Sequence, residues 1–472
     1  MKKNCLVWFR KDLRLYDNPA LDAAKNYETI YPLFIMDDDI FENKLLGGAS
    51  IWWLENSLES LNKSIHNSLR FFKGDSFKII PRLCESLKIE SVFWNRCYES
   101  DRIKKDTKLK SYLLNNNIEV KSFNSSLLWE PWNIKNKSGS PYKVFTPFFK
   151  SGCLESPNPR LPIKKPERLS FKKIDINLEE YQFKYFFKKS HWSNKFRKYW
   201  QVGEAGAKNS LEKFLKFGAK NYSIGRNYPS TENVSRLSPY LHWGEVSPFE
   251  VWHKAKNKMS GENKSVFLSE LGWREFSHHL LYNFPDLQNK NLKTNFDNFP
   301  WIKNEDLLEK WKRGQTGYPI IDAGMRELWE TGYMHNRVRM IVSSFLVKNL
   351  LIHWKCGENW FWDCLLDADA ASNSASWQWI AGTGADAAPF FRIFNPITQS
   401  KKFDNDAYYI KKYLPELQKL PTKLLFYPFE HDTDTLKQYD VILGHNYPYP
   451  IIDYSESRKR ALSTYTKFIS RN

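Results

Sequence analysis

The sequence predicts an α/β domain with a doubly wound parallel sheet, joined by a long linker to an all-helical domain. In residues 1–131, short apolar runs alternate with helical patterns, and this alternation is typical of a mainly parallel sheet. From residue 197 to residue 472, apolar residues recur at the three- and four-residue spacing of helices. In residues 132–196, prolines from Pro141 to Pro166 prevent long helices, which indicates a linker over the surface.

The first domain is predicted to contain five strands and three helices. Residues 5–9, 30–36, 69–72, 91–94 and 119–123 have the composition of strands, and residues 50–65, 77–87 and 104–115 have helical spacing. No Gly-x-Gly-x-x-Gly sequence follows the first predicted strand, and no Walker loop occurs in the chain. The domain is therefore not an ordinary dinucleotide-binding or P-loop module.

The second domain is predicted to be an irregular helical bundle without internal repeats. Helical spacing occurs in residues 204–217, 236–241, 248–256, 266–282, 305–312, 320–331, 338–353, 361–367 and 374–380.

Net charge, cysteine pattern and apolar runs limit which partners and which cellular location we expect for this protein. The 472 residues carry a formal net charge of +18, which favours an anionic partner such as nucleic acid. The six cysteines form no C-x-x-C pair, so we expect no metal site, no disulfide framework and a cytoplasmic location. No apolar run is long enough to span a bilayer, so no membrane association is expected. With no visible oligomerisation seam, a monomer is expected.

The segment LDADAASNSASWQWIAGTGADAAPFFRIFNP, residues 366–396, has an unusual composition. Asp367 and Asp369 precede a run of small residues, and Trp377 and Trp379 flank one glutamine. Small side chains let a backbone approach a large flat ligand closely. On a helix the two tryptophans diverge by about 200°, so we expect one inside the protein and one facing a cavity.

A second set of candidates surrounds Ser235-Arg236-Leu237-Ser238-Pro239. Taken alone, Ser238 followed by a proline predicts a capped helix start. The alternative is a phosphate site, because helix N-termini present free amides to anions. Tyr222 and Arg226 lie just upstream and would add a ring and a charge.

Glu270, Trp273 and Arg274 share one face of a predicted helix. That face is either the surface of an amphipathic helix with a Glu–Arg pair or the lining of a pocket.

Arg337 and Arg339 lie about 200° apart on another helix, so one can pair with a buried carboxylate while the other faces a substrate. Asp367 and Asp369 are the candidate carboxylates. No hydrolytic triad or metal cluster can be assembled, so a bound cofactor would carry the reaction.

Together these motifs resemble the DNA photolyase/cryptochrome family along nearly the whole chain. The resemblance rests on VWFRKDLRLYDNPAL at the start, YKVFTPFFK at 142–150, SRLSPYL, WREF, TGYPIIDAGMREL, MHNRVRM and residues 366–396. It implies FAD in the helical domain and light-dependent repair of cyclobutane pyrimidine dimers in UV-damaged DNA, by electron transfer from the excited, reduced flavin. The alternative is a cryptochrome-like blue-light receptor without repair activity.

The resemblance also implies roles for individual residues. Those implied for FAD are Tyr222, Ser235, Arg236, Leu237 and Ser238 at the diphosphate, Arg274 against the cofactor, and Asn336, Arg339, Asp367, Asp369 and Asn373 around the isoalloxazine ring. Those implied for DNA are Glu270, Trp273, Trp379, Met340 and Asn336 at the dimer and Arg226, Arg337 and Arg392 at phosphates. Trp377, Trp354 and Trp301 resemble an electron relay. Val234 departs from the threonine often found there, which puts one phosphate contact in doubt.

A few residues indicate which branch of the photolyase/cryptochrome family the sequence resembles. Asn336 and Met340 replace a histidine and its partner of the (6-4) repair enzymes, which favours cyclobutane dimers. Asn373 stands where plant cryptochromes usually have Asp, and the long C-terminal tail of many cryptochromes is not expected. Residues 50–53 resemble the subgroup near plant cryptochromes. A methenyltetrahydrofolate antenna is expected in or beside the α/β domain, with a deazaflavin as the second choice and no residue assigned.

Overall fold

The computed structural model describes residues 2–37, 46–176, 178 and 191–470. Contacts divide the chain into two compact units, one of Met1–Lys216 with Ser235–Pro285 and one of Phe217–Val234 with Asp286–Asn472. These discontinuous units do not test the expected boundaries at 131 and 196, which stay predictions. Part of the expected linker, residues 177 and 179–190, lies outside the described residues.

The first unit contains a five-stranded parallel sheet, as predicted. Its strands are β1 (Lys2–Phe9), β2 (Tyr27–Met36), β3 (Arg70–Lys73), β4 (Ser91–Asn95) and β5 (Glu119–Phe123). They lie in the order β3-β2-β1-β4-β5, and every neighbouring pair is parallel. The apolar centres of β1, β2 and β4 are fully buried, because helices cover both faces of such a sheet. The doubly wound architecture is confirmed.

The helices follow the predicted pattern with a few corrections. In chain order they are α1 (Pro19–Ala24), α2 (Gly48–Ser64), α3 (Ser76–Ser86), α4 (Ser100–Asn115), α5 (Phe145–Pro147), α6 (Glu204–Lys216), α7 (Tyr222–Gly225), α8 (Ser238–Trp243), α9 (Pro248–Lys258), α10 (Gly261–Asn283), α11 (Glu305–Lys312), α12 (Pro319–Thr331), α13 (Asn336–Ser344), α14 (Trp354–Cys364), α15 (Ala370–Ala381), α16 (Pro396–Phe403), α17 (Tyr408–Tyr413), α18 (Thr422–Leu425), α19 (Thr433–Lys437) and α20 (Tyr454–Ile469). Wider π-helical turns follow α5 at Phe148–Cys153 and α13 at Phe345–Asn349.

The predicted helix over residues 338–353 is wrong at its end, and the predicted helix over 361–367 begins too late. Leu351 has a φ of +54°, which a right-handed helix cannot include. His353 then caps α14 by accepting the amide hydrogen of Lys355 at 3.0 Å. The apolar pattern runs across this break because residues 345–352 are buried on both sides of it. Periodicity therefore hides the boundary.

The predicted surface linker is only partly on the surface. Phe171 forms a parallel bridge with Ile30 of β2, and Ile174 and Leu178 are buried in the core beneath the sheet. Burying these apolar side chains lowers the free energy of the folded protein relative to a linker that leaves them exposed to water. Within the described parts of the chain, no helix is both long and apolar enough to cross a membrane.

The core of the second unit lies among α11–α15. Trp311, Tyr318, Leu328, Trp354 and Trp377 are among its buried members, each at most 2% exposed. This dense aromatic core holds α13, α14 and α15, the helices that carry most of the predicted site residues of the second unit.

Candidate functional site

Helix α15 carries two tryptophans with different environments, as predicted. Asp369 caps its first turn by accepting the amide hydrogen of Ser372 at 2.8 Å. Trp377 is 2% exposed and Trp379 is half-buried. Their divergence follows from helical geometry, because two residues two positions apart point to nearly opposite sides.

Arg339 of α13 forms the predicted buried ion pair, and its partner is Asp367. The Arg339 Nη2 to Asp367 Oδ2 distance is 3.0 Å, and the carboxylate side chain is 5% exposed. Arg339 Nε also donates to the carbonyl oxygen of Met334 at 2.7 Å. Burial lowers the pKa of Arg339, but the charge and hydrogen bond of Asp367 together with Tyr333 and Glu327 more than offset burial, so the pKa of Arg339 is above its ordinary value. Arg339 therefore stays charged.

Arg337 points to the other side of α13 and lies among further cations. It donates to Asn227 Oδ1, and its guanidinium lies 4.3 Å from the centre of the Phe403 ring. Burial lowers the pKa of Arg337, and the positive charges of Arg226 and Arg392 lower it further. Arg226 and Arg392 are thus each close enough to repel Arg337, an arrangement of predicted phosphate contacts that favours a bound anion.

Asn373 and Asn336 occupy contrasting positions. Asn373 on α15 is 8% exposed and donates to the carbonyl oxygen of Glu358 at 3.1 Å. Asn336 is the first residue of α13 and is exposed, whereas Met340 one turn later is half-buried. Met340 lies beside Arg337, with 3.9 Å between its sulfur and Arg337 Nη1. Arg337, Met340 and Asn336 therefore share the outer side of α13.

The predicted relay residues grade from the interior toward the surface. Trp377 and Trp354 are 2% and 1% exposed, while Trp301 is half-buried. A Cβ added at Gly357 would lie 2.1 Å from the Trp377 ring, so this ring rests directly on the backbone of α14. Gly357 is three residues after Trp354, about 4.5 Å along the helix axis. The fold thus brings Trp377 to the part of α14 that carries Trp354.

In the first unit, Glu270, Trp273 and Arg274 share a half-buried face of α10, as predicted. Arg274 forms an ion pair with the carboxylate of Glu275, at 2.9 Å. Glu275 also accepts the amide hydrogens of Leu128 and Trp129. Burial raises the pKa of Glu275 to about 7, with Arg274 and these hydrogen bonds acting against it. Helical spacing did not single out Glu275, which is next to Arg274 in the sequence.

The predicted cap at Ser238 is wrong. Leu237 is the N-cap of α8, no side chain caps it, and Ser238 is the first helical residue and exposed. Arg236 has a φ of +53° and turns the chain so that the buried Leu237 enters the helix. The guanidinium of Arg236 lies 4.8 Å from the centre of the Trp200 ring, and Ser235 Oγ accepts the amide hydrogen of Leu237 at 3.4 Å.

Tyr222, in the second unit, is the buried first residue of α7. The guanidinium of Arg226 lies 5.6 Å from its ring centre. Tyr222 thus joins the residues around the three arginines.

Some residues that shape these groups were missed by the sequence analysis. Asn227 accepts a hydrogen bond from Arg337, and Gly357 has no side chain that would collide with the Trp377 ring. Phe145 stacks on Trp273 at 3.8 Å. Lys348 is fully buried and donates to the carbonyl oxygen of Arg392 at 2.8 Å. Phe145 lies within YKVFTPFFK, which was a usable signal. The others make contacts that no spacing rule reveals.

The described parts of the chain thus combine a parallel α/β sheet with a helical unit that has an ion pair between Arg339 and Asp367, neighbouring arginines and buried tryptophans. Comparison with known proteins makes this specific. The DNA photolyase family model matches residues 5–167, and the model of the FAD binding domain of DNA photolyase matches residues 267–467. The chain belongs to the DNA photolyase/cryptochrome family.

The relatives include both branches of that family. A deoxyribodipyrimidine photo-lyase of Agrobacterium fabrum is 45% identical, with 98% of this chain and 97% of that protein covered. Cryptochrome-1 of Arabidopsis thaliana is 34% identical, with 96% of this chain and 69% of that protein covered. The crystal structure of a class III photolyase from Agrobacterium tumefaciens superposes with a TM-score of 0.93 at 42% identity, covering 100% of this chain and 98% of that one.

The side chains of the second unit fit a flavin. The polar edge of an isoalloxazine ring has one N–H donor and several acceptors. Asp367 and Asp369 provide acceptors, Arg339 provides donors, and the Asn373 amide provides both. Buried Ala370, Ala371 and Ser374 keep the first turns of α15 small. Polar groups of both kinds beside small residues suit a large planar ligand.

Proposed function

We propose that this protein repairs cyclobutane pyrimidine dimers in DNA in a light-dependent reaction, as a deoxyribodipyrimidine photolyase with bound FAD. The observation that carries the proposal is that the two arginines of α13 have different environments. Arg339 is neutralised by Asp367 on one side, while Arg337 on the other belongs to the repelling cluster with Arg226 and Arg392. One helix can thus serve a buried cofactor and a polyanion. The 45% identity with a deoxyribodipyrimidine photo-lyase supports the same reading.

Reduced FAD, when bound, supplies the light-excited electron donor that splits the dimer. In the proposal, Arg339, Asp367, Asp369, Asn373 and Asn336 hold its ring system. The Arg339–Asp367 pair keeps both charges fixed, so the local field does not have to reorganise during the reaction. Tyr222, Ser235, Arg236, Leu237, Ser238 and Arg274 are assigned to the rest of the cofactor.

DNA would be held by Arg226, Arg337 and Arg392 at its phosphates. If ~4–6 phosphates are neutralised, log K falls with log salt with a slope of about −4 to −5. The lesion would contact Trp273, Trp379 and Met340, with Glu270 and Asn336 providing hydrogen bonds. Flipping a base costs a few kcal/mol and costs least for a damaged base, which favours the dimer over intact DNA.

Trp377, Trp354 and Trp301 would conduct an electron from the surface to the cofactor site when the cofactor arrives oxidised. Trp377 and Trp354 are buried and Trp301 is half-buried, which supports a relay that begins at Trp301 nearer the surface. A methenyltetrahydrofolate antenna, with a deazaflavin as second choice, remains part of the proposal. Mass spectrometry of chromophores released by acid from the purified protein identifies it.

The decisive experiment uses purified, chemically reduced protein and a duplex containing one thymine dimer. Under blue light the dimer should disappear, and in darkness it should persist. The matched control is the same duplex and light with Trp273→Ala and Trp379→Ala together, which removes two of the proposed lesion contacts. Persistence of the dimer under blue light, at the same level as in darkness, would refute repair and favour the cryptochrome-like alternative.

A further inference from the structure

Three aromatic rings of the first unit form a nearly parallel column that ends at Trp273. The centres of Phe145 and Trp273 are 3.8 Å apart with 10° between the ring planes. Phe145 and Phe149 follow at 5.6 Å and 9°. A Cβ added at Gly272 would lie 2.4 Å from the Phe149 ring, so the column stands directly against the backbone of α10. Both ends of the column are therefore tied to α10, at Gly272 and at Trp273.

The column limits which part of the Trp273 indole can contact a ligand. Phe145, itself 8% exposed, covers one face of the indole, and Phe276 meets the indole at 5.8 Å and 76°. Trp273 nevertheless remains half-buried, so part of its surface is accessible. An aromatic side chain that is held before binding loses less conformational entropy when a ligand stacks on it. The accessible side is thus prepared for another flat ring.

A nucleobase is the flat ring that suits such a surface. Base–aromatic stacking tolerates any base, because every base has a π-face. With one indole face taken by Phe145, stacking is restricted to the opposite face.

We infer that Phe145 is a positioning residue for DNA-lesion recognition, which covers one face of Trp273 and directs a single pyrimidine ring of the lesion onto the other. Phe149 in turn stacks on Phe145. This inference rests on the proposed function, because it requires that Trp273 meets the lesion. It adds Phe145 to the residues proposed for recognition of DNA.

Phe145 also contributes to packing, and the test must separate the two roles. Phe148 provides the matched control, because it lies in the same segment and is 1% exposed. Its ring contacts Phe276 and His279 at 5.1 and 4.9 Å. Phe148→Leu therefore removes a buried ring of the same kind while both rings of the Phe145–Trp273 stack remain.

The experiment measures, in darkness, the affinity of the flavin-containing protein for a labelled duplex with one thymine dimer and for the same duplex undamaged. Phe145→Leu should weaken binding of the dimer duplex about 3–10-fold, because the indole loses its fixed orientation. Binding of the undamaged duplex should change by less than about two-fold, and Phe148→Leu should leave the ratio of the two affinities unchanged.

A double-mutant cycle with Trp273→Ala provides the readout that a packing role would not move. If Phe145 acts through Trp273, Phe145→Leu has no further effect on dimer affinity once the indole is gone. An equal loss in both backgrounds, or equal loss for damaged and undamaged duplex, would overturn the inference. If Phe145→Leu does not fold, Phe145→Met, which also removes the flat face but fills the space, replaces it.

The outcomes also separate this inference from the proposed function. A wild-type protein that binds both duplexes equally would refute lesion recognition itself. A wild-type preference that Trp273→Ala removes and Phe145→Leu preserves would leave the proposed function intact and refute the role of Phe145.

Discussion

Arg339 and Asp367 are joined across 28 positions of the chain by an ion pair of 3.0 Å, with the guanidinium side chain 25% exposed and the carboxylate 5% exposed. The pair links α13 to the segment that enters α15. Because a buried charge without a partner is costly, the two residues hold these segments together.

Asp367→Asn should destabilise the protein by about 2–4 kcal/mol, because it leaves the Arg339 charge without a counterion. It should also speed the loss of bound flavin on dilution. Urea unfolding and flavin fluorescence measure the two effects. For the urea measurement, Asp369→Asn is the matched control, since asparagine caps a helix as well as aspartate does. Equal destabilisation of the two variants would contradict the role of the ion pair.

Trp377→Phe should nearly abolish photoreduction of oxidised flavin, because phenylalanine is far harder to oxidise than tryptophan. Repair by protein that has been chemically reduced beforehand should be unaffected. The measurement compares the light-driven bleaching of flavin absorbance with the loss of dimer in the same preparation. Parallel loss of both activities would show that Trp377 has another role than electron transfer.

Gly357→Ala should displace the Trp377 ring, since the new Cβ would lie 2.1 Å from it and 2.6 Å from Leu346 Cδ2. Overpacking of this kind costs about 1–3 kcal/mol, partly offset by the better helix propensity of alanine. We expect slower photoreduction together with a lower unfolding midpoint. Asn359→Ala, at an exposed position of the same helix, controls for helix propensity. Unchanged photoreduction would mean that the site accommodates the methyl group.

Lys348 should make stability depend on pH. It is fully buried, and burial, followed by the charge of Arg392, lowers the pKa of its ammonium from 10.5 to about 7. Between these values the unfolded chain binds the proton and the folded protein does not, so stability rises as pH increases from about 7 toward 10.5. Below about pH 7 both states bind the proton and this dependence ends.

Lys348→Met should remove that contribution. Urea midpoints of the wild type and the variant, measured at several pH values above 7, should move in favour of the wild type as pH rises. Since Lys348 donates to the carbonyl oxygens of Pro389 and Arg392, the variant should also loosen the segment that carries Arg392. A gap between the two proteins that does not change with pH would argue against titration of Lys348.

Arg337→Gln should weaken binding of damaged and undamaged DNA alike, because phosphate contacts carry no sequence information. The slope of log K against log salt should become less negative by about 0.9, the value for one phosphate. Arg313→Gln is a control at an arginine whose side chain is 70% exposed. An unchanged slope would remove Arg337 from the DNA contacts.

Local chemistry accounts for what could be predicted from the sequence. Alternating strands and helices predicted the parallel sheet, because each strand of such a sheet must be followed by a crossover helix. The opposed directions of Arg337 and Arg339, and of Trp377 and Trp379, followed from the helical period alone. The family motifs added the identity of the cofactor domain, which the match over residues 267–467 supports.

Only the tertiary structure decided which partners these residues find. Two carboxylates were open to Arg339, and the fold gave it Asp367 while Asp369 capped α15. Spacing placed Trp273 on the surface of α10, but the ring that covers its inner face comes from Phe145, far away in the chain. Helical and strand periods act over a few residues and are written in the sequence, whereas contacts between distant segments depend on how all side chains pack at once.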